Sequence, residues 1–244
     1  MKSKHLGKKT DYKLETYSPN FLDSVNRNSS TKIKPFFGHD FWNAYEFSYL
    51  NSQNQPVLES LEIKIPMTSL LTVESKSLKL YLASLFNKKF TDPKRAYRLI
   101  EKNLSQLTDS QVTVKKKISY QSPPQARLLN SAIKNIAKNK VIKFEGFRSI
   151  CPVTSQPDWA NIYFHSASHP IEPKPLIKLM ESYRSKGDFH EACIESIFLS
   201  MLEDLKMDDL TVYGRFLRRG GIDINPLRST NRKFIFSNFR DRIQ

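Results

Sequence analysis

"HDFWNAYEFS", residues 39–48, and "PDWANIYFHS", residues 157–166, each carry an acid, a tryptophan and a tyrosine at nearly the same offsets. Two such stretches well over a hundred residues apart predict a duplicated chain, so the segments around each are read in parallel. Around the first, residues 42–50 are aromatic-rich and predict a strand. Asn51 to Gln55 is turn-like, and "VLESLEIKIPMTS" alternates apolar and polar residues as a second, half-buried strand. "SLKLYLASLFN" places Leu78, Tyr81, Leu82 and Leu85 at helical spacing. Asp92-Pro93 is an N-cap and first-turn pair for a helix running to about Leu107, and "SQVTVKKKISY" predicts a strand.

The second half repeats that order. "KFEGFRSI" and "ANIYFHSA" predict strands on either side of a loop, and "PKPLIKLMESYR" opens with prolines suited to a helix start. "DFHEACIESIFLSMLEDL" predicts an amphipathic helix with Ile194, Ile197, Phe198, Met201, Leu202 and Leu205 on one side. Strands are expected at "LTVYGRFLR" and "NRKFIFSNF". Each half therefore reads strand, strand, helix, helix, strand, an α+β pattern. The expected organisation is a basic N-terminal extension over 1–34, a first module over 35–120, a basic linker over 121–140 and a second module over 141–244.

The chain has 39% hydrophobic and 26% charged residues, enough apolar surface for a core. No apolar run approaches the ~20 residues that cross a bilayer, and the N-terminus lacks the apolar stretch of a signal peptide. Two cysteines, Cys151 and Cys193, do not make a disulfide framework. A cytoplasmic protein with reduced thiols is expected.

The net charge is +15. Residues 1–34 hold Lys2, Lys4, Lys8, Lys9, Lys13, Arg27, Lys32 and Lys34 against three acids. From Gln111 to Phe144 there is no acid, while Lys115, Lys116, Lys117, Arg127, Lys134, Lys138, Lys140 and Lys143 accumulate. Such a balance suits a polyanion through phosphate contacts, and it equally suits a solvated basic face. Neither stretch interleaves aromatics with cations as a single-strand binding platform does.

Three groups stand outside the core pattern. In "CPVTSQPD", Cys151 and Asp158 lie on one loop stiffened by two prolines. A thiolate is a strong nucleophile when activated, and a carboxyl held partly dry can donate a proton. A buried cysteine beside a turn aspartate reads the same way in sequence. "VESKSLK", residues 73–79, stands at a strand-to-helix junction, where free N–H groups favour an anionic ligand and Ser75 or Ser77 can serve as the N-cap. Lys76 and Lys79 add charge there. "FHEAC", residues 189–193, puts His190 and Glu191 side by side at the start of the long helix, pointing in different directions. No zinc signature is present, because there is no second histidine at helical spacing and no CxxC pair. "RRGGIDINP", residues 218–226, is either a phosphate cradle or a β-turn with solvated arginines.

Taken together, "VESKSLKLYLASLFN", "CPVTSQPDW", "FHEACIESIF" and "RRGGIDINP" resemble the signature segments of the NADPH-dependent 7-cyano-7-deazaguanine reductase family (QueF), in the order of its long, two-module form. The resemblance covers about residues 35–235. It implies two tandem tunnelling-fold (T-fold) modules, each an antiparallel four-stranded sheet with two helices on one face. It also implies reduction of the nitrile of 7-cyano-7-deazaguanine (preQ0) to the aminomethyl group of preQ1, a step of queuosine biosynthesis for tRNA modification. Carried over by motif, Cys151 is the nucleophile that forms a covalent thioimide and Asp158 is the proton donor. His190 lines the pocket and can relay protons. Val73, Glu74, Ser75, His190 and Glu191 are the implied base-binding residues. Ser75, Lys76, Arg219 and Gly220 are the implied NADPH-binding residues, two NADPH being used per turnover with no metal.

Each half lacks the motif that the other keeps, so one composite site is expected. The resemblance further implies a homodimer that acts on a small molecule and requires no nucleic acid. Two departures stand out: the basic arm and linker lie outside the motif set, and the chain is short for the two-module form. Two other readings remain at this point. One is a related T-fold amidinotransferase acting on a nitrile in tRNA, which the charge would suit. The other is a non-catalytic nucleic-acid-binding T-fold protein.

Overall fold

The structure, a computed structural model, describes residues 16–27, 36–133, 136–233 and 235–244. Among the described residues it is an α+β fold with four α-helices and a large mixed sheet. The strands are β1 (Ser24–Asn26), β2 (Phe37–Leu50), β3 (Pro56–Pro66), β4 (Leu71–Val73), β5 (Thr113–Lys116), β6 (Arg127–Leu128), β7 (Lys140–Ile150), β8 (Pro157–Ser166), β9 (Thr211–Phe216) and β10 (Ile222–Ser229). The helices are α1 (Ser75–Ala83), α2 (Pro93–Thr108), α3 (Pro173–Ser182) and α4 (His190–Glu203).

The main sheet has the strand order β5-β3-β2-β10-β9-β8-β7-β6, and β1 pairs separately with β4. The pairs β3–β5, β7–β8, β8–β9 and β9–β10 are antiparallel, whereas β6–β7 is parallel. Two discrete four-stranded sheets, as the resemblance implied, are not resolved. Because β2 and β10 are neighbours, backbone groups that would line an open edge are paired instead.

The chain divides into two compact units. One holds the described residues of Met1–Ser30, Phe41–Ser119 and Arg218–Asp223; the other holds those of Thr31–Asp40, Tyr120–Leu217 and Ile224–Gln244. In the first unit, α1 and α2 bury Leu78, Tyr81, Ile100 and Leu104, and β3 buries Leu61, Ile63 and Ile65. Asp92 caps α2 by accepting from Lys94 N at 3.0 Å, with Pro93 in the first turn, as its sequence predicts. Among the described residues of the N-terminal extension, β1 pairs with β4, and Asp23 N–H donates to Ser77 Oγ at 3.0 Å.

In the second unit, Phe147, Ile162, Phe164, Ile194, Ile197, Phe198, Met201 and Val212 form one continuous core. Here α4 lies so close to β9 that a Cβ on Gly214 would stand 2.7 Å from an Ile194 methyl, and only glycine admits that approach. The strand expected at "NRKFIFSNF" is not there among the described residues. The last strand is instead β10, whose start follows directly from a tight Gly220-Gly221 turn. Phe236 and Phe239 from the expected strand pack their rings on Tyr163 and Tyr213.

The two echoing stretches fall on β2 and β8, and their likeness extends to hydrogen bonding. Asn43 Nδ2 donates to Asp223 Oδ1 at 2.7 Å and the Tyr45 hydroxyl donates to Asp223 Oδ2. Asn161 Nδ2 donates to Asp241 Oδ1 at 2.9 Å and the Tyr163 hydroxyl donates to Asp241 Oδ2. Thus Asn-x-Tyr on a strand clamps a buried carboxylate in both halves, with one donor to each carboxylate oxygen.

The acid-free basic stretch also finds its partners on another strand. Lys115 and Lys117 pair with Glu62, and Lys116 pairs with Glu59, each at 2.7–2.8 Å across the β3–β5 ladder. Part of the charge that suggested a polyanion is thereby neutralised within the sheet.

Candidate active site

Cys151, Asp158, His190 and Glu191 lie in the second unit; Val73, Glu74, Ser75, Lys76, Arg219 and Gly220 lie in the first. Each group is built by local structure that the sequence explains.

Cys151 opens the six-residue loop 151–156 between β7 and β8. Its N–H donates to Gln156 O at 2.9 Å, and its C=O accepts from Ser155 N at 3.0 Å. Ser155 takes φ = +56°, which turns the chain back toward β8. The wrapped loop aims donors at the sulfur. Burial pushes the Cys151 thiol up, but hydrogen bonds from the Thr154 hydroxyl and from the N–H groups of Thr154 and Val153 outweigh it. The result is a thiol below its ordinary value, with the nearby Asp158 carboxylate opposing. Thr154 escaped the sequence reading, although a hydroxyl residue three positions after the cysteine in a proline-bounded loop was its visible trace.

Asp158 is the second residue of β8, buried and paired in register with Ser149 of β7. The strand just before the cysteine also positions the histidine. Ile150 donates its N–H to Lys186 O and accepts from Asp188 N, both at 3.0 Å, which stitches the entry to α4 onto the end of β7. His190, the first residue of α4, thereby brings Nε2 to 3.3 Å from Asp158 Oδ2. Its ring lies flat on Phe216, with centroids 3.9 Å apart and planes 6° apart. Glu191 is buried in the first turn of the same helix. Cys193, three residues after His190, is fully buried in the core and burial pushes its thiol up to about 12.

In the first unit the cap of α1 is Glu74, not Ser75 or Ser77. Its carboxylate accepts from Lys76 N and Ser77 N, both at 2.8 Å. Two of the N–H groups that were expected to attract an anionic ligand are therefore met by the chain's own carboxylate. The other attraction for a phosphate is side-chain cation.

The β9–β10 turn supplies it. Arg219 N–H donates to Ile222 O at 2.8 Å around Gly220 and Gly221, at φ = +56° and +74°, a two-residue hairpin turn whose left-handed backbone favours glycine at both places. A Cβ on Gly220 would stand 3.2 Å from Lys79 Nζ. The lysine of "VESKSLK" and the "RRGG" turn thus share one place, although 141 positions separate Lys79 from Gly220. Arg218 lies over the Tyr45 ring at 5.2 Å. Lys79, Arg218 and Arg219 thus stand around the turn, and the Glu46 carboxylate lies on its Gly221 side, 2.5 Å from where a Cβ there would be.

A family model described as "Nitrile reductase, 7-cyano-7-deazaguanine-reductase N-term" matches residues 12–116, and one described as "QueF-like protein" matches residues 157–234. The NADPH-dependent 7-cyano-7-deazaguanine reductase of Hahella chejuensis (strain KCTC 2396) is 37% identical over 93% of this chain and 93% of its own. The chain belongs to this reductase family. Proteins of the same name from Coxiella burnetii (strain Dugway 5J108-111) and Desulfotalea psychrophila (strain LSv54 / DSM 12343) are 36% and 35% identical, over 96% and 93% of this chain and 94% and 92% of theirs. The two family models leave residues 117–156 between them, which includes the Cys151 loop.

No described helix is long and apolar enough to cross a membrane. Among the described residues no cluster of three or more histidine, cysteine, aspartate or glutamate side chains is placed to hold a metal.

Proposed function

We infer that the protein is an NADPH-dependent oxidoreductase that reduces the nitrile of 7-cyano-7-deazaguanine to an aminomethyl group, converting preQ0 to preQ1 in queuosine biosynthesis. The observation that carries this is identity of 35–37% to reductases of that name over nearly the whole of both chains. What supports the assignment of chemistry to residues is the loop that lowers the Cys151 thiol beside Asp158 and His190.

In this reading Cys151 sulfur adds to the nitrile carbon. As the C–S bond forms, one C–N π bond breaks and the nitrogen takes a proton from Asp158, giving a thioimide. His190, in contact with Asp158, returns the proton that Asp158 gives up. NADPH supplies the hydrides, one to the thioimide and one to the imine released when the C–S bond breaks. Each addition is matched by one proton at nitrogen, so nitrile, two NADPH and two protons give the amine and two NADP+. Glu191 accepts hydrogen bonds from the N–H groups of the guanine-like edge, and Val73, Glu74, Ser75 and His190 complete base binding. Ser75, Lys76, Arg219 and Gly220 bind NADPH, the cations meeting its phosphates. A site holding an imine must exclude water, or hydrolysis competes with the second reduction.

The chain is two tandem T-fold modules, 35–120 and 141–244, joined by 121–140 and preceded by the extension 1–34. The matched Asn-x-Tyr clamps on Asp223 and Asp241 support that duplication. The enzyme is a cytoplasmic homodimer and needs no nucleic acid. Mass spectrometry tests the chemistry: the base should add covalently to the wild-type protein and to Cys193→Ala, and not to Cys151→Ala. An adduct that survives in Cys151→Ala places the nucleophile elsewhere.

A further inference from the structure

We propose that Gln244 is a positioning residue for this reaction, acting through Phe216 to fix the plane of the His190 ring against Asp158. The proposal rests on the activity inferred above. A histidine that works through one nitrogen is usually oriented by a hydrogen bond at the other. In His190 that second nitrogen, Nδ1, is buried and has no hydrogen-bond partner among the described residues. The ring is therefore oriented by two contacts, Asp158 at Nε2 and the parallel face of Phe216.

Phe216 in turn is held by side chains where a ladder would ordinarily hold it. Regular pairing of β9 with β10 covers Thr211–Tyr213 against Leu227–Ser229 and stops before Pro226, which has no N–H to give. Beyond that point the Phe216 N–H donates to Asn225 Oδ1 at 3.2 Å. The Phe216 C=O accepts from Gln244 Nε2 at 2.8 Å. The same Nε2 donates to Asn225 Oδ1 at 2.7 Å, which fixes the asparagine amide as well.

Gln244 is itself clamped. Its Oε1 accepts from Arg215 Nε at 2.9 Å and from Asp241 N at 3.1 Å. Arg215 is fully buried, and Asp241 is the carboxylate gripped by Asn161 and Tyr163. Both donors and both acceptor positions of the Gln244 amide are thus in use. Neither Glu nor Met can reproduce that set. The carboxylate clamp of the second half reaches the reacting groups by a short path: Asp241, Gln244, Phe216, His190, Asp158.

The test compares wild type with Gln244→Glu, which keeps size and acceptors but loses both donors, and with Phe216→Leu, which keeps an apolar side chain but loses the flat face. Each is mixed with 7-cyano-7-deazaguanine, and three quantities are read: base affinity, rate of Cys151 adduct formation at saturating base, and final adduct occupancy. Both variants should form adduct about tenfold or more slowly, the scale of a misplaced group, while final occupancy stays within about twofold and base affinity falls by less than the rate does. The double variant should be little slower than the slower single one, since both act on one path. Full adduct rate in both variants overturns the proposal. So does a loss of affinity and occupancy in step with rate, which is what a merely structural role produces. If wild type forms no adduct and consumes no NADPH, the activity reading itself fails, and this proposal with it.

Discussion

His190 Nε2 stands 3.3 Å from Asp158 Oδ2, with both side chains largely out of water. The pairing joins the second residue of β8 to the first of α4, and in the proposed mechanism it handles the proton beside Cys151. Asp158→Asn keeps the shape and removes the acid. Adduct formation should slow by about 10²- to 10⁴-fold, the usual range for a lost general acid, while base affinity changes little. Single-turnover mass spectrometry with a separate binding titration checks both parts. An adduct rate near wild type would assign the proton to another group.

The Cys151 loop gives a titration with a definite sign. Donors from Thr154 and Val153 hold the thiol below its ordinary value, so thiolate is present at lower pH than in a free cysteine. Thr154→Val removes one donor and should move the pH midpoint of Cys151 alkylation upward, slowing alkylation at neutral pH. Cys193, pushed up to about 12, should stay unlabelled across the same range in the folded protein. Peptide mapping after iodoacetamide treatment over a pH series reads both thiols. An unmoved midpoint would mean that the Thr154 hydroxyl does not reach the sulfur in solution.

How legible this molecule is in its sequence depends on the range of the interaction. Asp92-Pro93 and the apolar stripe of α4 are local signals, and the helices begin where those signals put them. The Asn-x-Tyr clamps were half visible as an echo, but their carboxylates lie in remote segments, and Asp223 and Asp241 carry no local mark of their role. The last strand, β10, is likewise hard to see in the sequence. Pro226 argues against a central strand, and the alternation that usually marks one is absent because β10 is buried almost throughout. Ser75 and Ser77 are of the commoner capping type, whereas here the Glu74 carboxylate spans two N–H groups. Pairing of Lys115–Lys117 with Glu59 and Glu62 depends on β3–β5 register, which charge counting does not reveal.

The glycine turn separates folding from binding. A side chain at Gly221 would meet the Glu46 carboxylate at 2.5 Å on a backbone of φ = +74°, so Gly221→Val should destabilise the protein by about 2 kcal/mol or more. At Gly220 the added Cβ would stand farther from its nearest neighbour, 3.2 Å from the end of Lys79, and alanine adds no branch at that carbon. Gly220→Ala should therefore cost only about 1 kcal/mol and act mainly by raising the KM for NADPH several-fold. Thermal melts and steady-state kinetics on the two variants distinguish them. An unchanged NADPH KM in Gly220→Ala would remove the turn from the cofactor site.

The Asp241 clamp predicts a pH-dependent stability. Burial raises this carboxyl, but bonds from Tyr163, the Lys143 cation and Asn161 bring it below its ordinary 3.8. A depressed folded value contributes stability that is full above the unfolded value and fades as pH falls through the folded one. Asp241→Asn should therefore lower the melting temperature at neutral pH, by the equivalent of about 2 kcal/mol, and the gap to wild type should close below about pH 4. A gap that persists unchanged into acid would show that the variant fails by packing and not by charge.

The most direct test of the whole account is stoichiometric. Purified protein mixed with limiting 7-cyano-7-deazaguanine and excess NADPH should oxidise two NADPH for each base converted to amine, followed by absorbance and product mass. Tight binding of the base with no NADPH oxidised would contradict it.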